Sequence, residues 1–200
     1  MRRIPLALLP VALVAALVLG AFLWRAADGL PGFGRVLGSG TASIGAPFTL
    51  TDQDGHLRRS SDFAGRSMLI YFGYAHCPDV CPTTLALMAD ALGKVGPKAN
   101  RVVPIFITID PERDTPSVLK PYVRSFGPDF VGLTGSVAAI TRTAADYRVY
   151  FRKHPLGGGD YGLDHFNTIY LMGPDGKFVA YWDDTAIGPD RLAAELRERL

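Results

Sequence analysis

The chain has 200 residues and a formal net charge of +2, with acids and bases interspersed; the lack of a basic stripe argues against nucleic acid as a partner. That length holds an N-terminal segment and one compact domain, but not two ordinary domains. The 22 glycines and 15 prolines are scattered between apolar runs, which indicates many turns and not disorder.

Arg2 and Arg3 precede an uncharged run from Ile4 to Trp24. About 20 apolar residues in a helix span the hydrocarbon core of a bilayer, and Trp24 followed by Arg25 suits the membrane interface. Residues 1–25 are therefore expected to form one transmembrane anchor. Its arginine-bearing end stays in the cytoplasm and the domain lies on the opposite side. A cleaved signal peptide is the rival reading, but the run is longer than a signal core and its small-residue sites are poorly placed. Both readings export the domain. Residues 26–43 are glycine-rich and aperiodic, as expected of a flexible tether, and 44–200 form the folded domain.

Within that domain, Pro47 to Thr51 predicts a short strand and Asp52 to Gly55 a turn. Ser67 to Tyr74 is an apolar, aromatic run of strand length leading straight into His76-Cys77. Leu85, Met88, Leu92 and Val95 recur at helical spacing, with Pro82 tolerated in the first turn. Val102 to Ile109 reads as a buried strand, in which Pro104 is awkward and implies a bulge. Thr115-Pro116 is a cap followed by proline at the first helical position, and Val118, Leu119, Tyr122, Val123 and Phe126 form one face. A short strand over Phe130 to Leu133 follows. Val137, Ile140, Ala144 and Tyr147 mark another helix. Asn167 to Met172 and Phe178 to Trp182 are strands joined by a Gly173-Pro174-Asp175-Gly176 turn. Leu192, Leu196 and Leu200 lie on a closing helix. The early strand–helix alternation implies a parallel sheet, and the late hairpin adds antiparallel strands. The expected fold is α/β: a thioredoxin-like mixed sheet flanked by helices, with the cysteine motif where the first long strand meets a helix.

The only two cysteines stand in Cys77-Pro78-Asp79-Val80-Cys81. Two cysteines make no scaffold for a domain of this size; a close pair indicates redox or metal chemistry, or one local disulfide. The C-x3-C spacing leaves room for the sulfurs to diverge around an ion or to close into a disulfide. A helix N-terminus favours the thiolate, and two thiolates favour Cu(I) or zinc. Of the four histidines, His56 and His154 are expected to be solvated and His76 to point aside. His165, before the last hairpin, is the candidate third ligand, because in a thioredoxin-like fold the loop entering that hairpin lies beside the cysteine motif. Two sulfurs and one imidazole suit Cu(I), or Cu(II) with a further weak ligand; structural zinc wants a fourth protein ligand. Asp164 could orient the imidazole and Asp79 could act similarly, or both could be plain turn and cap residues.

Residues 71–85 (YFGYAHCPDVCPTTL), the Asp110–Pro116 segment (DPERDTP) and Asp164-His165 with residues 169–178 (IYLMGPDGKF) resemble, in order, three blocks of the Sco/SenC copper proteins. The resemblance covers about residues 44–200 and extends to the anchor and tether. It implies a thioredoxin fold, copper held by Cys77, Cys81 and His165, and a role in assembling the copper centre of cytochrome c oxidase. The partners implied are the copper-centre subunit of that oxidase, with an upstream copper donor and a thiol reductant. The short anchor favours a bacterial inner membrane, with the domain facing the periplasm. Two functions are open, alone or together: a copper chaperone, for which His165 is diagnostic, and an exported thiol–disulfide reductase cycling Cys77 and Cys81. A peroxide-reducing role is disfavoured because Cys77 lacks the Pro-Thr-Cys context. Arg113 could pair with a partner's acidic surface, or the Asp110–Pro116 segment could simply end a strand and cap a helix.

Overall fold

The computed structural model describes residues 44–200; the expected anchor and tether lie outside them. Among the described residues no helix is long and apolar enough to cross a membrane. Nine strands are present among the described residues: β1 Thr49–Asp52, β2 Leu57–Arg59, β3 Ser67–Gly73, β4 Val102–Thr108, β5 Val131–Thr134, β6 Phe151–Gly157, β7 Asp160–His165, β8 Thr168–Met172 and β9 Phe178–Asp183. Four α-helices accompany them: α1 Val80–Val95, α2 Pro116–Arg124, α3 Val137–Asp146 and α4 Pro189–Arg199.

Seven strands form one mixed sheet in the order β2-β1-β5-β4-β3-β8-β9, while β6 and β7 pair apart as a separate hairpin. The central strands β3, β4 and β5 are parallel, and β8 returns antiparallel to β3. Every residue of β3 and β4 is buried, which is why their sequences read as continuous apolar runs and show no alternation. Helices α1 and α4 pack on each other, and α2 packs against β5. The helical face read from Leu85, Met88, Leu92 and Val95 is buried as expected, together with Cys81 and Thr84. This is the thioredoxin-like arrangement expected from the sequence.

Pro104 needs no bulge. It pairs in unbroken register with Leu69 of β3, and β5 joins β4 only from Ile105 onward. Pro104 therefore lies where β4 has a single neighbour, and its missing N–H breaks no ladder on the open side. The β6–β7 hairpin has no counterpart among the expected elements. Its strands are mostly exposed, so they carry no apolar alternation, and their turn is made by three successive glycines at positive φ, Gly157, Gly158 and Gly159. His165 is accordingly the last residue of β7 and does not sit in a loop entering β8. The cysteine segment follows β3 at the carboxyl ends of the parallel strands, where open α/β sheets bind ligands.

Candidate metal centre

The site begins with the end of β3. A tight turn, closed by the Cys77 amide donating to the Tyr74 carbonyl at 3.2 Å, leads from the strand to the first thiol. Cys77 is half-buried; Cys81, on the first turn of α1, is fully buried. The Cys81 amide donates to Cys77 Sγ at 3.4 Å, so the helix N-terminus offers a backbone N–H to the first sulfur. Both thiols are free.

Their ionisation is split. A hydrogen bond from the Cys81 thiol, helped by the backbone N–H groups and opposed by burial, pulls Cys77 down from 9.0 to about 5. The same bond, together with burial, pushes Cys81 strongly upward. Cys77 is thus the thiolate and Cys81 the proton donor at neutral pH.

Cys81 has a fitted seat. Its Sγ lies 3.9 Å from the buried Tyr71 hydroxyl and 3.5 Å from His165 Nε2. A Cβ placed on Gly73 would stand 2.8 Å from that sulfur and 3.0 Å from the rings of Phe106 and Tyr71. Glycine there makes room for the sulfur. His165 is flanked edge-on by Tyr71 and Tyr74, each with its ring centre 6.1 Å away. Its Nδ1 faces the Phe166 carbonyl oxygen at 3.1 Å. A carbonyl only accepts, so Nδ1 carries the proton and the Nε2 lone pair faces Cys81.

The structure therefore brings Cys77, Cys81 and His165 to one end of the sheet. Among the described residues, no three His, Cys, Asp or Glu side chains already converge into a closed ligand set. Asp164 does not orient the imidazole: it pairs with His154 at 3.2 Å and Arg152 at 3.3 Å. Successive strand residues point to opposite faces, so the residue next to His165 on β7 is turned away from it. Asp79 occupies the cap position of α1 and accepts from the Thr83 hydroxyl at 3.5 Å. His76 stands aside, 3.4 Å from Asp114, and His56 is largely exposed. His154, expected to be solvated, lies on β6, partly exposed and paired with Asp164.

Two buried carboxylates near the thiols were given no role at the site by sequence reasoning, although Asp114 falls within the Asp110–Pro116 segment. Asp114 accepts from the Ala75 amide at 2.9 Å and the Thr108 hydroxyl at 2.6 Å, tying the cysteine turn to the end of β4; burial raises its pKa. Asp184 accepts from the hydroxyl of Thr84, three residues after Cys81, while its Oδ1 is buried without a partner; burial raises its pKa as well. No spacing signal distinguishes such residues from turn aspartates.

The fold and these side chains define a thioredoxin-like protein whose paired thiols face an imidazole. Residues 38–200 match the family model described as SCO1/SenC, and the chain belongs to that family. The copper-bound ScoI of Bradyrhizobium japonicum superposes with a TM-score of 0.73 at 46% identity, covering 79% of this chain and 100% of that one. The mitochondrial Protein SCO1 homolog 1 of Arabidopsis thaliana is 41% identical over 164 residues, 80% of this chain and 49% of its own length. The chain thus spans about half the length of the curated relatives it matches. BsSco, described as having a disulfide switch and as a member of the Sco family of cytochrome c oxidase assembly proteins, superposes with a TM-score of 0.60 at 27% identity, covering 78% of this chain and 92% of that one.

Proposed function

We propose that the protein is a copper chaperone for the copper centre of cytochrome c oxidase, taking the ion between Cys77, Cys81 and His165. The observation that carries this reading is the Nε2 lone pair of His165 directed at Cys81 Sγ across 3.5 Å, a contact that thiol exchange alone does not require. Two sulfurs and one neutral imidazole are a soft, low-coordinate donor set that fits copper, the ion described for the relative from Bradyrhizobium japonicum.

Each residue has a distinct part in loading. Cys77, already the thiolate and partly exposed, meets the incoming ion first. Cys81 joins on giving up its proton, since binding ions displace protons from thiols. His165 is held in the right tautomer by the Phe166 carbonyl. The domain is carried by the anchor of residues 1–25 on the periplasmic side of a bacterial inner membrane, where an oxidase subunit's copper-site cysteines are accessible. Titration of the reduced chain with Cu(I) against competing chelators tests the reading. One copper should bind tightly, stable binding should vanish in Cys77→Ser or Cys81→Ser, and His165→Ala should weaken it strongly. Undiminished binding in all three variants would refute it.

A second reading is favoured by the split ionisation of the thiols. A half-exposed thiolate backed by a buried thiol is the arrangement of a disulfide reductase. Cys77 attacks a target disulfide, one target sulfur leaves as thiolate, and Cys81 then attacks Cys77 Sγ and releases the second. The chain ends oxidised and the target gains two electrons. Rapid exchange with a disulfide peptide, unaffected by His165→Ala, would favour this role over copper delivery.

A further inference from the structure

His165 sits at the end of a hairpin that is not hydrogen-bonded into the main sheet. β6 and β7 pair only with each other, and within them only Gly162 and Leu163 are buried. A lone two-stranded hairpin is marginal in water. The place of His165 therefore depends on what holds the hairpin.

Leu163 seats in the core with Phe151 and Tyr161 against it, and one polar segment reaches across to the hairpin as well. Between β4 and α2, Asp110, Glu112 and Arg113 reach across to β6 and β7. Arg113 Nε donates to Asp110 Oδ2 at 2.5 Å and its Nη1 to Asp160 Oδ1 at 2.9 Å. The guanidinium lies 3.7 Å above the Tyr161 ring centre. The Tyr161 hydroxyl donates to the other oxygen of Asp110 at 2.7 Å, and Lys153 of β6 pairs with Glu112. Exposed ion pairs contribute little, but Asp110 is fully buried and Arg113 four-fifths so, and a planar fork stacked on a ring gives a defined geometry. The same segment holds the other half of the site, because Asp114 accepts from the Ala75 amide in the cysteine turn.

We propose that Arg113 is a positioning residue for copper: clamped by Asp110, Asp160 and Tyr161, it fixes the β6–β7 hairpin, and so His165, against a cysteine turn pegged by the same segment. This rests on the reading of His165 as a copper-holding residue.

The test uses the reduced full chain with two readouts. In the metal-free protein, Arg113→Ala should speed hydrogen exchange at the 162–165 amides while those of β3 and β4 stay protected. On copper loading, Arg113→Ala should weaken affinity about tenfold and alter the Cu(II)–thiolate absorption, in the same direction as His165→Ala. Arg113→Lys, which keeps the charge but not the fork, should restore only part of both. Asp160→Asn removes only the charge at the exposed end of the clamp, leaves the core untouched, and should give the same pattern in weaker form; it decides the question if Arg113→Ala does not fold. Unchanged hairpin exchange in Arg113→Ala and Asp160→Asn, or faster exchange with unaltered copper affinity and spectrum while His165→Ala weakens both, would overturn the proposal. If His165→Ala itself changes neither affinity nor spectrum, the copper reading of His165 fails, and the positioning role fails with it. Hairpin exchange would then report only on the clamp.

Discussion

Gly73→Ala is a sharp test of how the site is built. The added methyl would stand 2.8 Å from Cys81 Sγ, where ordinary contact begins at 3.4 Å. The sulfur would have to retreat by about 0.6 Å, taking 3.4 Å as the nearest comfortable approach. It has nowhere to go without moving others, because Cys81, Tyr71 and Phe106 are all fully buried. Overpacking of this kind costs about 1–3 kcal/mol. For a domain of this size that is a fall of roughly 2–12 °C in Tm, at about 2–4 °C per kcal/mol. The displaced sulfur also leaves its 3.5 Å register with His165 Nε2, so copper affinity should fall together with stability. Thermal unfolding and chelator competition read the two effects. Gly93→Ala is the control: it lies exposed within α1, and a Cβ there meets nothing within 4 Å, so alanine should stabilise by up to ~1 kcal/mol through helix propensity. A Gly73→Ala chain as stable as the parent, with copper affinity intact, would refute the claim that glycine is needed to seat Cys81.

Native alkylation should find Cys77 reactive with a midpoint near pH 5, and Cys81 inert until the domain unfolds. Cys81→Ala, which deletes the largest cause of the shift, should move that midpoint toward 9.0; a midpoint that stays put would assign the shift to the backbone instead. Because the Cys77 pKa falls on folding, its stabilising contribution is complete above 9.0 and is lost as pH drops through about 5; urea unfolding of Cys77→Ser against the parent should show that window close. Asp184 has the opposite sign. Its pKa rises on folding through burial, so it weakens the fold as pH climbs above 3.8. Asp184→Asn, still able to accept from Thr84, should be more stable than the parent at neutral pH, and a loss of stability there would show that the charge is satisfied by a partner.

Sequence reasoning reached the parts of the fold that bury one face or both. β3 and β4 are legible because burial on both sides demands unbroken apolar runs, and α1 because Leu85, Met88, Leu92 and Val95 repeat at the pitch of its buried stripe. The β6–β7 hairpin was illegible for the converse reason: its exposed strands need no pattern, and three glycines look like a linker until their positive φ values are seen closing a turn. At the site, Cys77 and Cys81 stood out by chemistry and His165 by its expected place in the fold, and the structure sets His165 beside Cys81. Their supports did not. Asp164 was read either as orienting His165 or as a plain turn or cap residue, and it does not orient the ring, because adjacency along a strand means opposite faces. The imidazole is oriented by a backbone carbonyl, which leaves no mark in the sequence. Gly73 acts by making room for the Cys81 sulfur and Asp114 by its burial against the cysteine turn, and neither environment is written in residue identity.

The two readings of the site converge on one pair of sulfur atoms, so they exclude each other at any instant. Cys77 Sγ accepts from the Cys81 amide at 3.4 Å, which places both thiols across one turn at the start of α1. A disulfide between them consumes both sulfur donors and leaves His165 as a lone imidazole, too poor a donor set for tight copper binding. A bound ion in turn occupies the Cys77 thiolate that would attack a disulfide. Oxidation with diamide should therefore abolish tight copper binding, and reduction should restore it. Copper loading should protect Cys77 from alkylation at neutral pH, where the free thiolate reacts readily. If the oxidised chain still binds one copper with undiminished affinity, the ion is held elsewhere and the pair serves thiol exchange alone. If oxidation releases copper and copper blocks alkylation, loading is gated by the redox state of the two cysteines, and a reductant must act before each round of delivery.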